Sequence, residues 1–214
     1  MQKAFFNDKY QQTDAVIEGR KTMARRLVSD RLWEIWTNYD DFCNSVIGGI
    51  ARGGISVSRE YYRECDFFKD KCRYKVGEVV AVAQSYEQIG ANPQHYISRP
   101  DIDGYQIISM CPGWRNKMFV RAELMPHQIR ITGIRCERLQ DISDEDCMKE
   151  GVVDVTYFKT GGRPYELFAL PGHEYEETFN TPRRAFAALI DKVSGRGTWD
   201  RNPWVVAYEF ELVK

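Results

Sequence analysis

The order of the predicted elements indicates an α+β fold built on a small, partly open β-barrel. Strand-like segments are scattered between single helical segments and do not follow a repeating βαβ order. The chain has 214 residues, of which 43% are hydrophobic and 13% aromatic, enough for one packed core. No apolar run has the length of a membrane helix. We therefore expect residues 1–214 to form a single domain.

The N-terminal part of the chain alternates between capped helices and short strands. Asn7 or Asp8 can cap a first helix that ends at Gly19, and the segment 21–28 follows as a strand. Two helical patterns with aromatic faces come next, the first of them capped by Asp30. Both lie within 29–73, which we predict to be a helical insertion outside the barrel.

Three strands are predicted in the middle of the chain. Residues 76–83 are apolar on both alternations, which is typical of a strand buried on both faces. Further strands are expected at 118–120 and 129–139. In the latter, the hydrophobic phase changes at Gly133, which predicts a β-bulge.

The C-terminal part carries the strongest local signals. Ser143 begins a capping box for a short helix, and residues 152–180 contain breaks that indicate a second insertion. Thr181 and the proline after it open a longer amphipathic helix. Strict alternation over 204–212 predicts the last strand.

Charge and cysteine usage limit the kinds of site. The net charge is −1 and the pI about 6.3, so a nucleic-acid site has to be a local patch. The six cysteines form no C-x-x-C pair and the three histidines are isolated, so we expect no metal, cofactor or disulfide framework. The first residues become polar too early for a signal peptide, which favours a cytoplasmic protein without a membrane partner.

Four stretches resemble the ASCH superfamily, whose fold is similar to the PUA domain. The third and fourth are similar to phage and prophage members in particular, which places the expected location in the cytoplasm of a host cell. The four are G-R-K-T-M-A-R-R at 19–26, Y-K-V-G-E-V-V-A-V at 74–82, R-I-T-G-I-R-C-E-R-L-Q-D-I-S at 130–143 with E-G at 150–151, and G-T-W-D-R-N-P-W-V at 197–205. Together these stretches comprise 42 of the 214 residues, and the regions 29–73 and 152–180 lie outside the match.

The resemblance implies a module that binds RNA, single-stranded nucleic acid or a modified nucleoside in a basic cleft. The turn at 19–26 holds four cations and no acid, and arginine and lysine suit phosphates and base edges. Loop tryptophans beside cations suit the stacking of unpaired bases. A solvated edge strand and aromatic lids over the core are the alternative interpretations. The predicted binding residues are Arg20, Arg25, Arg26, Trp114, Arg115 and Trp199, with Lys21 in the same turn.

Two other functions stay open. Some bacterial ASCH members are amidohydrolases of N4-acetylcytidine, and the resemblance gives Lys21 the role of base and Glu150 that of acid. The family's nucleophilic threonine is replaced by Ala24, which has no hydroxyl, so hydrolysis would need a water activated between Lys21 and Glu150. A weak ribonuclease is the related possibility. Alternatively, the face carrying Trp33, Trp36 and Tyr39 would serve a phage protein-interaction module.

Overall fold

The computed structural model describes residues 1–39, 63–91, 111–158 and 164–213, and within them it shows the expected α+β class. The helices and strands are β1 (Lys3–Ala4), α1 (Gln12–Ile17), β2 (Met23–Leu27), α2 (described over 30–39), α3 (Glu64–Asp70), β3 (Val79–Val82), α4 (Tyr86–Ile89), β4 (Gln128–Arg138), α5 (Asp144–Lys149), β5 (Val153–Asp154), β6 (Tyr157–Phe158), β7 (Pro164–Tyr165), β8 (Phe168–Ala169), β9 (Thr178–Phe179), α6 (Pro182–Ser194), α7 (Thr198–Arg201) and β10 (Trp204–Leu212). Short 3₁₀ helices cover Asp8–Tyr10, Lys117–Phe119, Ala122–Leu124 and Leu139–Asp141.

Five strands form one mixed sheet in the described part of the chain. Its strand order is β1-β3-β4-β10-β2, with β1 parallel to β3 and every other pair antiparallel. The two edge strands, β1 and β2, are not paired with each other in the described residues, so the sheet is open. The short strands β5 to β9 form two small separate sheets.

The central strands follow the sequence prediction closely. β3 has Val80, Ala81 and Val82 fully buried, as expected for a strand covered on both faces. β4 pairs along nearly its whole length with β10, and the register shifts where Glu209 lies opposite Gly133 and the next residue lies opposite Ile131. The predicted bulge is therefore confirmed.

Two of the predicted helix caps are confirmed, whereas the predicted cap Asp30 lies inside its helix and the Ser29 hydroxyl before it accepts from the Leu32 amide at 3.3 Å. The Ser143 hydroxyl accepts a hydrogen bond from the Asp146 amide at 3.1 Å, and Thr181 accepts one from the Arg184 amide at 3.2 Å. The chain leaves α5 through Gly151, whose φ of +101° strongly favours glycine. These caps fix where α5 and α6 begin, and α5 carries part of the site described below.

One predicted strand is wrong. Residues 118–120 were expected to be extended, but Lys117–Phe119 is a 3₁₀ helix. The side chain of Asn116 accepts a hydrogen bond from the Met118 amide at 3.0 Å, and this local bond competes with strand pairing.

The described helices of 29–73 contribute to the main core. Phe68 of α3 is fully buried among residues of β3, β4 and β10, and its neighbour Phe67 is 6% exposed. The ring of Trp33 lies 4.9 Å from Phe68, and that of Trp36 lies 5.1 Å from Phe67. The rings of Trp33 and Trp36 thus pack against α3, while Tyr39 of the same face is 38% exposed. Residues 40–62 and 159–163, which fall in the two expected insertions, lie outside the described part.

The described residues form no metal site, and two of their thiols have strongly raised pKa values. Within these residues no group of histidine, cysteine and carboxylate side chains could hold a metal ion. The five described cysteines are free, and burial raises the pKa of Cys136 and Cys147 to about 12, so neither ionises near neutral pH. No described helix has the length and hydrophobicity to cross a bilayer.

Candidate functional site

Lys21 and Glu150 form a buried ion pair between the turn before β2 and the end of α5. The Lys21 Nζ lies 2.6 Å from Glu150 Oε2 and also donates to the Glu150 carbonyl oxygen at 2.6 Å. The two residues are only 2% and 4% exposed. The backbone amide of Thr22 donates to the carbonyl of Lys149, which fixes the turn against the helix end. The two residues predicted as base and acid are therefore in direct contact.

The guanidinium of Arg25 contacts three carboxylates beside this pair. Its Nη2 lies 2.6 Å from Glu137 Oε1 and 2.9 Å from Asp146 Oδ2, and its Nη1 lies 3.2 Å from Glu150 Oε1. We expected Arg25 to contact nucleic acid at the surface. Instead its side chain is 0% exposed, and its donors face carboxylates within the protein.

The sheet register explains why two arginines meet at one carboxylate. Arg25 of β2 and Arg135 of β4 both lie opposite Ala207 of the strand between them. Residues paired across strands point to the same face, and the small alanine leaves room above it. Both guanidinium groups consequently reach Asp146 Oδ2, Arg25 at 2.9 Å and Arg135 at 2.6 Å. We call Lys21, Arg25, Arg135, Glu137, Asp146 and Glu150 the buried ion network.

A cavity of about 300 Å³ lies against the edge strand β2 and includes part of this network. We call it the Lys21 cleft. One wall is polar and the other is the apolar face of α6. Its lining residues are Phe6, Gln12, Lys21, Ala24, Arg25, Arg26, Leu27, Glu150, Phe186, Leu189, Ile190, Val193 and Ser194. The lysine, the glutamate and the alanine that the resemblance aligns with the family's catalytic positions thus share one cavity.

Burial and pairing determine the ionisation of the network. Burial lowers the pKa of Lys21 below its ordinary value, although the charge of Glu150 opposes the shift. Burial also tends to lower the pKa of Arg25, but Glu150 and Glu137 outweigh it and raise that pKa. For Asp146, hydrogen bonds from Arg135 and Arg25 outweigh the effect of burial and lower the pKa. The network is therefore a set of mutually compensated charges.

Arg26 supplies the exposed positive charge of the cleft. Its guanidinium donates to the carbonyl of Phe5 and lies 5.6 Å from the centre of the Phe6 ring. Arg20 is also exposed, but it pairs with Glu18 and is not among the lining residues. Of the four predicted cations in the turn, Arg26 is exposed at the cleft and Lys21 lies at the cleft wall. Arg25 belongs to the buried ion network, and Arg20 pairs with Glu18 outside the cleft.

The predicted loop residues lie away from the cleft lining. Trp114 packs against a small hydrophobic cluster beside Tyr86, and Arg115 pairs with Glu87 along a separate cavity of about 530 Å³. Trp199 contacts the Phe186 ring edge-to-face at 6.2 Å. Its indole therefore packs behind the cleft wall rather than inside the cavity.

Sequence reasoning did not identify Glu137, Asp146 and Arg135 as partners of Arg25. One signal was present: in the strand, Arg25 shares its face with the apolar Met23 and Leu27 two positions away, and a buried arginine requires carboxylates nearby. The sequence does not indicate which carboxylates these are, because Glu137 and Glu150 lie 112 and 125 positions away.

Comparison with known proteins adds no relative. No protein-family model, no curated protein and no solved structure matches this chain.

Proposed function

We propose that the protein is an ASCH-type module that holds an unpaired base or modified nucleoside, free or within a single strand such as RNA, in the Lys21 cleft. The observation that carries the proposal is the composition of this cleft. A compensated lysine–glutamate pair on one side faces the apolar surface of α6 on the other. Sites for small molecules are mostly apolar with a few placed polar groups, and about 300 Å³ is the lower end of their size range.

The polar wall has the donors and acceptors that a base edge requires. Lysine has three N–H donors, and two of those of Lys21 are directed at Glu150, which leaves one for a ligand. The Glu150 oxygens keep free lone pairs that can accept from an exocyclic amino group. Because Lys21 and Arg25 are already neutralised, the interior of the cleft favours an uncharged base over a phosphate.

The opposite wall suits the flat face of a base. Leu189, Ile190 and Val193 of α6 lie there together with Phe186. Apolar and aromatic surfaces receive unstacked bases in single-strand binding proteins.

The finer fold assignment, a partly open PUA-like barrel, belongs to the same proposal. The guanidinium of Arg26, on one edge strand, donates to the carbonyl of Phe5, directly after the other edge strand. A side chain thus links the two edges of the open sheet, as expected if the sheet curls toward a barrel.

The test is a titration of the ¹⁵N-labelled protein with cytidine, N4-acetylcytidine and a short single-stranded RNA. We expect shifts in the amide signals of 21–27 and 189–194, with one common set for all three ligands. Arg26→Gln should weaken RNA binding, because it removes the exposed cation of the cleft. Arg130→Gln is the matched control, since Arg130 is a half-exposed strand arginine paired with Glu211 outside the cleft. Amide shifts confined to another face, or none at millimolar ligand, would refute the proposal.

Amide hydrolysis is the second candidate, favoured by the lowered pKa of Lys21 beside Glu150. A lysine with a lowered pKa can act as a general base nearer neutral pH than an ordinary one. The cleft wall at Ala24 has no hydroxyl where the family's nucleophile would stand, so N4-acetylcytidine would have to be attacked by another group, such as a water activated by Lys21, and hydrolysis is expected to be slow. Release of acetate by the purified protein measures this activity directly.

A further inference from the structure

A larger cavity lies beside the Lys21 cleft, in the opening between the two edge strands. Its volume is about 630 Å³. The floor contains Val206 and Tyr208 of β10 and the buried Tyr74, while α2 forms one side. We call it the Arg73 groove. Its lining residues are Phe5, Arg26, Leu27, Val28, Ser29, Arg31, Leu32, Ile35, Lys71, Cys72, Arg73, Tyr74, Val206 and Tyr208.

The groove is positively charged although the whole chain has a net charge of −1. Four exposed cations line it and no carboxylate does; the cations are Arg26, Arg31, Lys71 and Arg73. Within the described chain, the side chains of Arg31 and Lys71 have no hydrogen-bond or ion-pair partner. Their charges are therefore available to a ligand, in contrast to those of the buried ion network.

The groove and the cleft are adjacent. Arg26 and Leu27 line both cavities, so a ligand leaving the cleft past Arg26 enters the groove. The two cavities differ in electrostatics, since the cations of the cleft interior are compensated and those of the groove are not. A ligand that fits both has an uncharged flat end and an anionic extension.

We propose that the Arg73 groove binds the sugar-phosphate backbone of a single strand whose base or nucleoside occupies the Lys21 cleft. This inference rests on the proposed function. Lysine and arginine bind phosphates, while half-exposed apolar residues such as Leu32 and Ile35 give neighbouring bases a surface to cover. A peptide of aspartate and glutamate alone would use the same cations, but it has no flat uncharged group for the adjoining cleft.

The first experiment compares a nucleoside with single-stranded oligonucleotides of increasing length by calorimetry, at several salt concentrations. Nucleoside affinity should be nearly independent of salt, because no phosphate is bound. For the oligonucleotide, the logarithm of the binding constant should fall linearly with the logarithm of the salt concentration. If all four cations contact phosphates, the magnitude of this salt slope approaches about 2.8, which is roughly a 50-fold loss of affinity between about 50 mM and about 200 mM salt.

The second experiment removes two of the groove cations. The double substitution Lys71→Gln with Arg73→Gln should lower the oligonucleotide slope by about 1.4, since each phosphate contact contributes about 0.7. Nucleoside affinity should be unchanged, because neither residue lines the cleft. The matched control is Arg121→Gln with Arg184→Gln, two exposed arginines that line neither cavity.

The outcomes separate this inference from the proposed function. If the nucleoside binds at the cleft but longer strands bind no better at any salt concentration, the groove assignment is overturned and the proposed function stands. If the two control substitutions lower the salt slope as much as the two groove substitutions do, the nucleic acid is attracted to the whole surface and the groove assignment also fails. Displacement of the oligonucleotide by a poly-glutamate peptide at equal charge concentration would overturn it in favour of an acidic protein partner. Nucleoside binding that fails altogether would refute the proposed function itself.

Discussion

Replacing Arg25 with methionine should strongly destabilise the protein. The substitution keeps an unbranched apolar side chain but removes the cation that contacts Glu137, Asp146 and Glu150. Asp146 and Glu150 retain other cationic partners, whereas the remaining cation near Glu137 lies 4.0 Å away, on Arg135. Removing one partner of a buried ion pair costs about 3–5 kcal/mol, and the partial compensation places the expected loss near 3 kcal/mol.

Urea denaturation measures this loss as a lower transition midpoint at unchanged slope. Arg135→Met is the matched control: it also removes an arginine bonded to Asp146, but that side chain is 46% exposed. Its expected cost is about 1 kcal/mol or less. Adding Glu137→Gln to the Arg25 variant should restore part of the stability, because it removes the least compensated charge. Equal losses for the two arginine variants would refute the reasoning that burial of the Arg25 charge decides its contribution.

Three further outcomes are expected. The pKa of Asp146 is lower in the folded protein than in the unfolded chain, where it is about 3.9. The ionised carboxylate therefore contributes its full stabilisation of the fold above about pH 3.9, and this stabilisation is lost as the pH falls toward the folded pKa. Wild type should therefore lose more stability than Asp146→Asn in acid denaturation below about pH 4, and parallel curves would contradict this. Trp199→Ala should cost about 3 kcal/mol through its lost packing on Phe186, and an unchanged stability with weaker RNA binding would instead identify a stacking residue. Ala24→Thr should raise the release of acetate from N4-acetylcytidine above wild type, and equal rates would show that a missing hydroxyl does not limit hydrolysis.

The elements that the sequence predicted correctly depend on local chemistry. The caps at Ser143 and Thr181 and the bulge at Gly133 involve residues a few positions apart or a change of phase within one strand. The strand predicted at 118–120 is absent because the Asn116 side chain accepts a hydrogen bond from the Met118 amide and favours a 3₁₀ helix. The short apolar run gave no indication of this bond. The position of α3 could not be predicted either, because its burial depends on strands far away in the chain.

The candidate site was predictable only in part, for the same physical reason. The resemblance identified Lys21 and Glu150, which the structure brings into contact. The neighbouring cations of 19–26 looked equivalent in the sequence, but alternate positions of a strand point to opposite faces. Arg25 is therefore directed into the buried ion network, while Arg26 reaches the surface.

The strand order also determines when this site can be assembled during biosynthesis. Among the described strands, β2 pairs only with β10, so Met23–Leu27 has no strand partner until residues 204–212 leave the ribosome. At about 5–20 residues per second, that delay is roughly 10 to 35 seconds. During it, Arg25 lacks the carboxylates of β4 and α5 for most of the time, and the apolar residues of β2 need protection from other chains. The Lys21 cleft and the buried ion network are thus completed only after translation of the last strand.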